Sequence, residues 1–263
     1  MKKEKTTILV TGSEGQLGKT IQELYASNDS DIDFTFVSKE DLDITKPESI
    51  KAYFNKHNFD NCINCAAYTN VEQAEKTPDI AFKVNAEGVK NLALVCENHE
   101  VTLIHISTDY VFDGEKSEPY TIEDKPNPIN EYGKSKLLGE QYIQQYVTKY
   151  YIIRASWLYS KTYGKNFYKF VIESANEGKD LSITTEQIGC PTNTENLANY
   201  VVDEIIKSQP EYGIKHFSHC NSMTWYDFAK TILEENGLIK KVDLKPVDRF
   251  KTLARRPKYS VLG

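Results

Sequence analysis

A phenol and an ammonium four residues apart on a helix can attend to one reacting oxygen, and Glu131-Tyr132-Gly133-Lys134-Ser135-Lys136 offers that pair. The spacing puts Tyr132 and Lys136 on one face, a turn apart. Tyrosine's ordinary pKa of about 10 keeps its proton on at neutral pH, which suits donation to a developing alkoxide, and a neighbouring lysine cation lowers that pKa. Thr108, in Ser107-Thr108-Asp109-Tyr110, adds a hydroxyl able to hydrogen-bond the same oxygen, a polarising contribution of the oxyanion-hole kind. Alone, Tyr-x-x-x-Lys is a weak pattern, since in a chain with 17 tyrosines an exposed helix face satisfies it as well.

The elements around these residues decide between the two. Leu103 to Ser107 reads as a buried strand that delivers Thr108 to its carboxyl end, where ligands meet open α/β sheets. The first strand, Thr6 to Thr11, runs into Gly12-Ser13-Glu14-Gly15-Gln16-Leu17-Gly18 and then a helix, whose N–H groups and positive dipole end can meet a pyrophosphate. The Gly-x-x-Gly-x-x-Gly spacing differs from the Gly-x-Gly-x-x-Gly of many dehydrogenases, but its place after the first strand points to a dinucleotide. A second strand, Asp33 to Ser38, ends at Ser38-Lys39, a hydroxyl and an ammonium suited to the 2′-phosphate of NADPH. Glu40 and Asp41 follow at once and favour NADH as the alternative. Asp43 and Ile44 are placed to meet the adenine. Pro47 marks a helix start, with helical periodicity from Glu48 to His57. A third strand ends at Asn64-Cys65-Ala66-Ala67-Tyr68-Thr69, where Ala66, Ala67 and Tyr68 let a cofactor lie close to the backbone. A helix from Ala81 to Glu97 carries Asn85, by itself a solvated asparagine.

Further on, Tyr150 to Trp157 reads as a buried strand, Asn166 to Gly178 as an amphipathic helix and Leu181 to Thr184 as a short strand. Gln187 to Thr192 reads as a loop, Thr194 to Lys207 as a helix, Ile214 to His219 as extended, and Met223 to Asn236 as a helix stopped by Gly237. Pro246 to Gly263 is basic and irregular, with Arg249, Lys251, Arg255, Arg256 and Lys258, and suits either a phosphate or a solvated tail. Alternating strands and helices predict an α/β fold, a right-handed doubly wound parallel sheet, with the later third as a lobe over its carboxyl edge.

At 263 residues and 40% apolar the chain can bury one large core with a smaller lobe. No apolar run approaches the roughly 20 residues that span a bilayer, and the start lacks a signal-peptide core, so no membrane partner and a cytoplasmic location are expected. A net charge of -6 argues against nucleic acid as a partner. Five cysteines do not make a disulfide framework. Cys62 and Cys65 lie three apart in a strand-like run and so point to opposite faces, as two small buried residues; the same reasoning removes His216 and His219 as a metal pair.

With these motifs, the chain resembles an extended short-chain dehydrogenase/reductase, and within that family the dTDP-4-dehydrorhamnose reductases. The likeness covers nearly the whole chain, including Asn64 to Glu75, Ser107 to Gly114, Arg154 to Tyr159, Gln187 to Thr192 and Ala254 to Pro257. It implies a Rossmann-type sheet and a hydride from NADPH or NADH to the C4 ketone of a deoxysugar on dTDP. It makes Thr108, Tyr132 and Lys136 a catalytic triad, with Tyr132 protonating the C4 oxygen and Lys136 holding the nicotinamide ribose. Thr69, Val71, Asp109, Tyr110 and Trp157 match positions around the sugar, and Asn166 and Arg255 or Arg256 positions near the diphosphate. The expected division is a nucleotide domain over 1–157, to which 185–222 returns, and a lobe from 158–184 and 223–263.

Two departures stand out. The family usually continues with another helix after Arg-Arg-Pro, whereas this sequence stops at Gly263, so an incomplete lid is expected. Some members dimerise around magnesium, but the position to look at is Thr20, a poor ligand; Glu195 remains, and no metal residue is assigned, with a monomer or homodimer expected. A 4,6-dehydratase or epimerase on the same fold is the nearest rival, yet a dehydratase needs Asp-Glu after the threonine and here Asp109-Tyr110 follows. A non-catalytic NADP-binding regulatory subunit, like that of methionine adenosyltransferase, is the rival from another class.

Overall fold

The computed structural model describes residues 5–27, 31–219, 221–248 and 251–263. In chain order, β1 (Thr6–Thr11) is followed by α1 (Gln16–Tyr25), β2 (Ile32–Val37), α2 (Pro47–Phe54), β3 (Asn61–Asn64) and a short α3 (Val71–Lys76). Then come α4 (Pro78–Phe82), π-type turns over Lys83–Gly88, α5 (Val89–Asn98), β4 (Thr102–Thr108), α6 (Glu131–Tyr146) and β5 (Tyr150–Ala155). The second half runs β6 (Leu158–Tyr159), α7 (Phe167–Asn176), β7 (Leu181–Thr184), β8 (Ile188–Gly189), β9 (Thr192–Asn193) and α8 (Thr194–Asn199), which continues in π-type turns over Tyr200–Lys207. It closes with β10 (Gly213–Phe217), β11 (Met223–Thr224), α9 (Trp225–Glu235) and β12 (Leu244–Val247).

Six strands form one parallel sheet in the order β10-β5-β4-β3-β1-β2. The doubly wound sheet expected from the alternation is thus present, and the strand order reverses between β1 and β3, opening a crevice at their carboxyl ends. Helices cover both faces, so the strands need apolar residues on both sides. Ile8, Val10, Ile63 and Ile104 pack towards Leu17 and Ile21 of α1 and Leu197 and Val201 behind them. Leu9, Cys62, Leu103 and Ile152 face the other way, onto Phe54, Leu92 and Ile143. Cys62 lies in this second layer while Cys65 packs against the first, as alternation along a strand requires. A third apolar cluster, including Val171, Phe228, Ile232 and Ile183, joins α7, α9 and β7.

Three expectations change. Gln187 to Thr192 is not a plain loop: β8 pairs antiparallel with β11, and β9 pairs with β6. Helix α9 starts two residues late because Met223 and Thr224 pair with β8, and Thr224 then forms a capping box with Asp227. The basic C-terminal stretch is no solvated tail, since β12 pairs with β7, Tyr259 bridges Ile188 and Leu262 bridges Tyr120. Arg249, named with that stretch, lies outside the described residues. Among the described residues no helix is long and apolar enough to cross a membrane.

Candidate active site

The turn after β1 is shaped by contact with the end of β3. Gly12 has φ +63, and a Cβ there would fall 2.6 Å from the Ala66 nitrogen, so only glycine allows this close approach. Gly18 packs on the turn in the same way. Gly15 instead lines a cleft and serves as N-cap of α1, where no side chain caps the helix and no acidic residue sits in the first turn. Uncapped N–H groups and the helix dipole therefore face the cleft, an environment that fits a diphosphate.

The cleft holds about 740 Å³ at the carboxyl edge of the sheet. Gln16, Leu17 and Ala67 line it, with Thr69, Val71, Thr108, Asp109, Tyr110, Tyr132 and Lys136. Trp157, Asn166 and Arg256 close it from the lobe side. Tyr132 and Lys136 project from α6, whose start is fixed by Asn130 accepting from the Gly133 N–H at 2.7 Å. The Tyr132 ring meets Tyr110 edge-on, centroids 6.0 Å apart. Burial pushes the Tyr132 phenol up to about 12, against a hydrogen bond from Thr108 that lowers it. Its proton is therefore held at neutral pH.

The lysine does not tune that phenol in the way expected from the sequence. Lys136 Nζ donates to the Ile106 carbonyl at 2.7 Å and lies 3.2 Å from His105 Nε2. Burial brings its pKa down to about 8, while Glu140 and Cys65 pull it upward. The Thr108 hydroxyl lies 3.0 Å from Asp109 Oδ1, accepts from the Tyr110 N–H and is hydrogen-bonded to Tyr132. Burial pushes Asp109 up to about 7, although Ser260 and Thr108 hydrogen-bond its carboxyl.

Several other expected ligands act as supports. Asn85 is buried rather than solvated: its Oδ1 accepts from the Tyr68 N–H at 2.8 Å, and its Nδ2 donates to the Tyr68 carbonyl and to Ser135, fixing the Ala66 to Thr69 loop. Ile44 belongs to the core, and Asp43 accepts from the backbone and hydroxyl of Thr45. Asn166 faces the cleft, but its amide caps α7 and bonds Gln16 Oε1, Ser160 and Tyr163. Ser38 and Lys39 lie at the end of β2, outside the lining of this cleft, with Lys39 exposed. Arg255 is exposed and contributes its carbonyl to Asn130. Arg256 lines the cleft, paired with Glu72 at 2.7 Å. For magnesium the donors do not fit: Thr20 is buried, with its hydroxyl bonded to Gln16 and Thr194. Among the described residues no cluster of three or more acidic, His or Cys residues could hold a metal ion.

Sequence reasoning missed an aromatic wall. Trp225 stacks on Trp157 with centroids 3.6 Å apart, and Phe167 and Phe228 stand behind it, all lining the cleft. On amphipathic helices such residues read as core, and no spacing rule marks them as lining.

Comparison with known proteins fits this geometry. A crystal structure of dTDP-4-dehydrorhamnose reductase from Bacillus anthracis in complex with NADP superposes with a TM-score of 0.93 at 39% identity, covering 98% of this chain and 90% of that one. The dTDP-4-dehydrorhamnose reductase of Aggregatibacter actinomycetemcomitans is 35% identical over 97% of this chain and 90% of its own. The dTDP-4-keto-6-deoxy-D-glucose reductase of Streptomyces niveus is 33% identical over 97% and 88%. The profile of the RmlD substrate binding domain matches residues 6–263, and the chain belongs to that family.

Proposed function

We propose that this chain is an oxidoreductase that uses NADPH to reduce the C4 ketone of dTDP-4-dehydro-L-rhamnose to dTDP-L-rhamnose, the last step of dTDP-rhamnose biosynthesis. The observation that carries the reading is the meeting of Tyr132, Thr108 and Lys136 in one cleft with the uncapped start of α1, in a member of a family with a relative solved in complex with NADP.

Gly12, Gly15 and the first turn of α1 hold the cofactor's diphosphate, and Ser38 and Lys39 the 2′-phosphate, which makes NADH the poorer donor. The bound cofactor supplies the hydride for C4. Tyr132 gives its phenolic proton to the C4 oxygen, and burial that keeps this proton on until an alkoxide develops makes the phenol an acid rather than a base. Lys136 steadies the phenolate left behind. Thr69, Val71, Asp109, Tyr110 and Trp157 surround the sugar, and Arg256 approaches the diphosphate. The third apolar cluster supports a lobe over 158–184 and 223–263 as the substrate half, against a nucleotide domain over 1–157 with 185–222. The protein works in the cytoplasm, as a monomer or homodimer.

A second reading differs only in the sugar. The Streptomyces niveus relative is named for dTDP-4-keto-6-deoxy-D-glucose, and the same residues could serve that ketone. Purified protein should oxidise NADPH with dTDP-4-dehydro-L-rhamnose and yield dTDP-L-rhamnose by NMR. Turnover with the D-glucose-derived ketone alone would establish the second reading. Tight NADPH binding without turnover on any nucleotide 4-ketosugar would mean a binding subunit. Tyr132→Phe should lose 10²-fold or more of kcat, in the range of general-acid contributions of about 10²–10⁴, with NADPH affinity kept.

A further inference from the structure

Behind Lys136 lies a buried polar chain with a fixed direction. Asn64 Oδ1 accepts from Thr11 Oγ1 at 2.7 Å and from the Ala66 N–H at 3.2 Å. A backbone N–H can only donate, so it sets which end of the Asn64 amide is oxygen. The amide nitrogen then points at His105 Nδ1, 3.0 Å away, and Nδ1 must accept. His105 is 1% exposed, and burial followed by the charge of Lys136 holds it well below its ordinary pKa, so the ring is neutral with a single N–H. With Nδ1 accepting, that hydrogen is on Nε2, which lies 3.2 Å from Lys136 Nζ. An N–H aimed at an amine makes a hydrogen bond; aimed at an ammonium, which has no lone pair, it repels.

We propose that His105, locked by Asn64 in its Nε2–H tautomer, is a positioning residue that opposes protonation of Lys136 where it rests against the Ile106 carbonyl. The inference rests on the role proposed above for Lys136. It gives the lysine a reason, beyond its burial, to lose its proton more readily than an ordinary lysine. The other groups facing Lys136 act differently: Cys65, after β3, and Glu140, on its own helix and tied to Arg154 of β5, both favour the ammonium, and the Ile106 carbonyl accepts from either form. Tyr132 lies one turn before it on α6.

Asn64→Asp reverses the chain almost isosterically. The new carboxylate still accepts from Thr11 and Ala66 and now accepts from His105 as well, moving the ring proton to Nδ1 and leaving Nε2 to accept from the Lys136 ammonium. His105→Gln removes the fixed donor altogether. In the full-length protein, ¹⁵N NMR should find His105 with its hydrogen on Nε2 in the wild type and on Nδ1 in Asn64→Asp. The ¹³Cε titration of Lys136 should move up by about one pH unit or more in both variants, and the alkaline limb of kcat/KM should follow it. A wild-type His105 with its hydrogen on Nδ1, or a Lys136 midpoint unmoved in Asn64→Asp, overturns the proposal. Should His105→Gln not fold, Asn64→Asp keeps the imidazole and decides alone. The NMR readouts need no substrate, so retained turnover in Tyr132→Phe would sink the functional reading without touching them.

Discussion

Glu140 and Arg154 form a forked ion pair sealed from water, with Arg154 Nη2 2.6 Å from Glu140 Oε2 and side chains 2% exposed or less. Arg154 Nε reaches both carboxylate oxygens, and Ser107 donates to the same carboxylate. Glu140 sits one turn beyond Lys136 on α6, so the pair fixes the far side of the proposed site. Replacing one partner leaves the other charge buried and alone, which costs roughly 3–5 kcal/mol. Glu140→Gln should therefore melt well below the wild type. It also removes a carboxylate that favours the Lys136 ammonium, so the alkaline limb of activity should move down from about 8. A variant that melts with the wild type would show that the pair is not the structural anchor described.

Trp157 and Trp225 stack in parallel, 8° apart, on the lobe side of the cleft. Trp157 is held at φ +48, a left-handed conformation unusual for a bulky residue, and its ring lies so close to Gly189 that a Cβ there would fall 2.5 Å from Cε2. Strain kept at a ligand-lining position suggests a placed surface rather than loose filling. Trp225→Ala should raise KM for the nucleotide sugar about tenfold, in line with roughly 1–3 kcal/mol for aromatic stacking on a base, and leave kcat within a few fold. An equal fall in kcat with KM unchanged would place Trp225 in support of the reacting centre instead.

Asp109, 2% exposed, makes the fold sensitive to pH in a defined direction. Its folded pKa, pushed by burial up to about 7, lies above the 3.8 of a free side chain. Stability from the protonated carboxyl is fully present below the unfolded value and is lost as pH rises to the folded one. Asp109→Asn keeps the shape without the ionisation. The variant should gain on the wild type progressively between about pH 4 and 7, by a few kcal/mol in all, and hold a constant lead above that. A difference in melting temperature that is flat across this window would show that Asp109 is ionised in the fold.

The sheet could be read from the sequence because buried parallel strands leave near-continuous apolar runs, and Thr6 to Thr11 was placed to the residue. The cleft was legible where chemistry restricts residue type, as at Tyr132, Lys136 and the glycine turn. Partners brought from distant strands were not. Nothing in the spacing of Asn64, His105 and Lys136 says that they touch, and a buried histidine in a strand reads as core. Asn85 misled for the same reason: a helix asparagine looks solvated until the Tyr68 backbone lies against it. The pairing of β12 with β7 was hidden by Pro246 and the surrounding lysines, which suit an edge strand as well as a loop.

The end of β2 carries the last prediction, because opposite charges, Lys39 and Asp41, stand side by side at the place proposed for the cofactor's ribose. Asp41 does not reach outward freely: its Oδ2 accepts from the Ser38 N–H at 2.9 Å, and its own N–H donates to Ser38 Oγ. Hydrogen bonds from the Ser38 backbone N–H and hydroxyl hold the Asp41 carboxyl below the usual range, so it stays ionised and committed to the turn. Lys39 is exposed beside it, the cation proposed above for the 2′-phosphate. Lys39→Glu replaces that attraction with repulsion and should lower kcat/KM for NADPH relative to NADH by tenfold or more, the order expected for exchanging a partner charge near a phosphate. Asp41→Asn loosens the turn without reversing the charge at position 39, and should weaken both cofactors alike. Steady-state comparison of the two coenzymes separates these outcomes. An unchanged ratio in Lys39→Glu would remove Lys39 from the phosphate site and shift the preference to backbone N–H groups of the glycine turn.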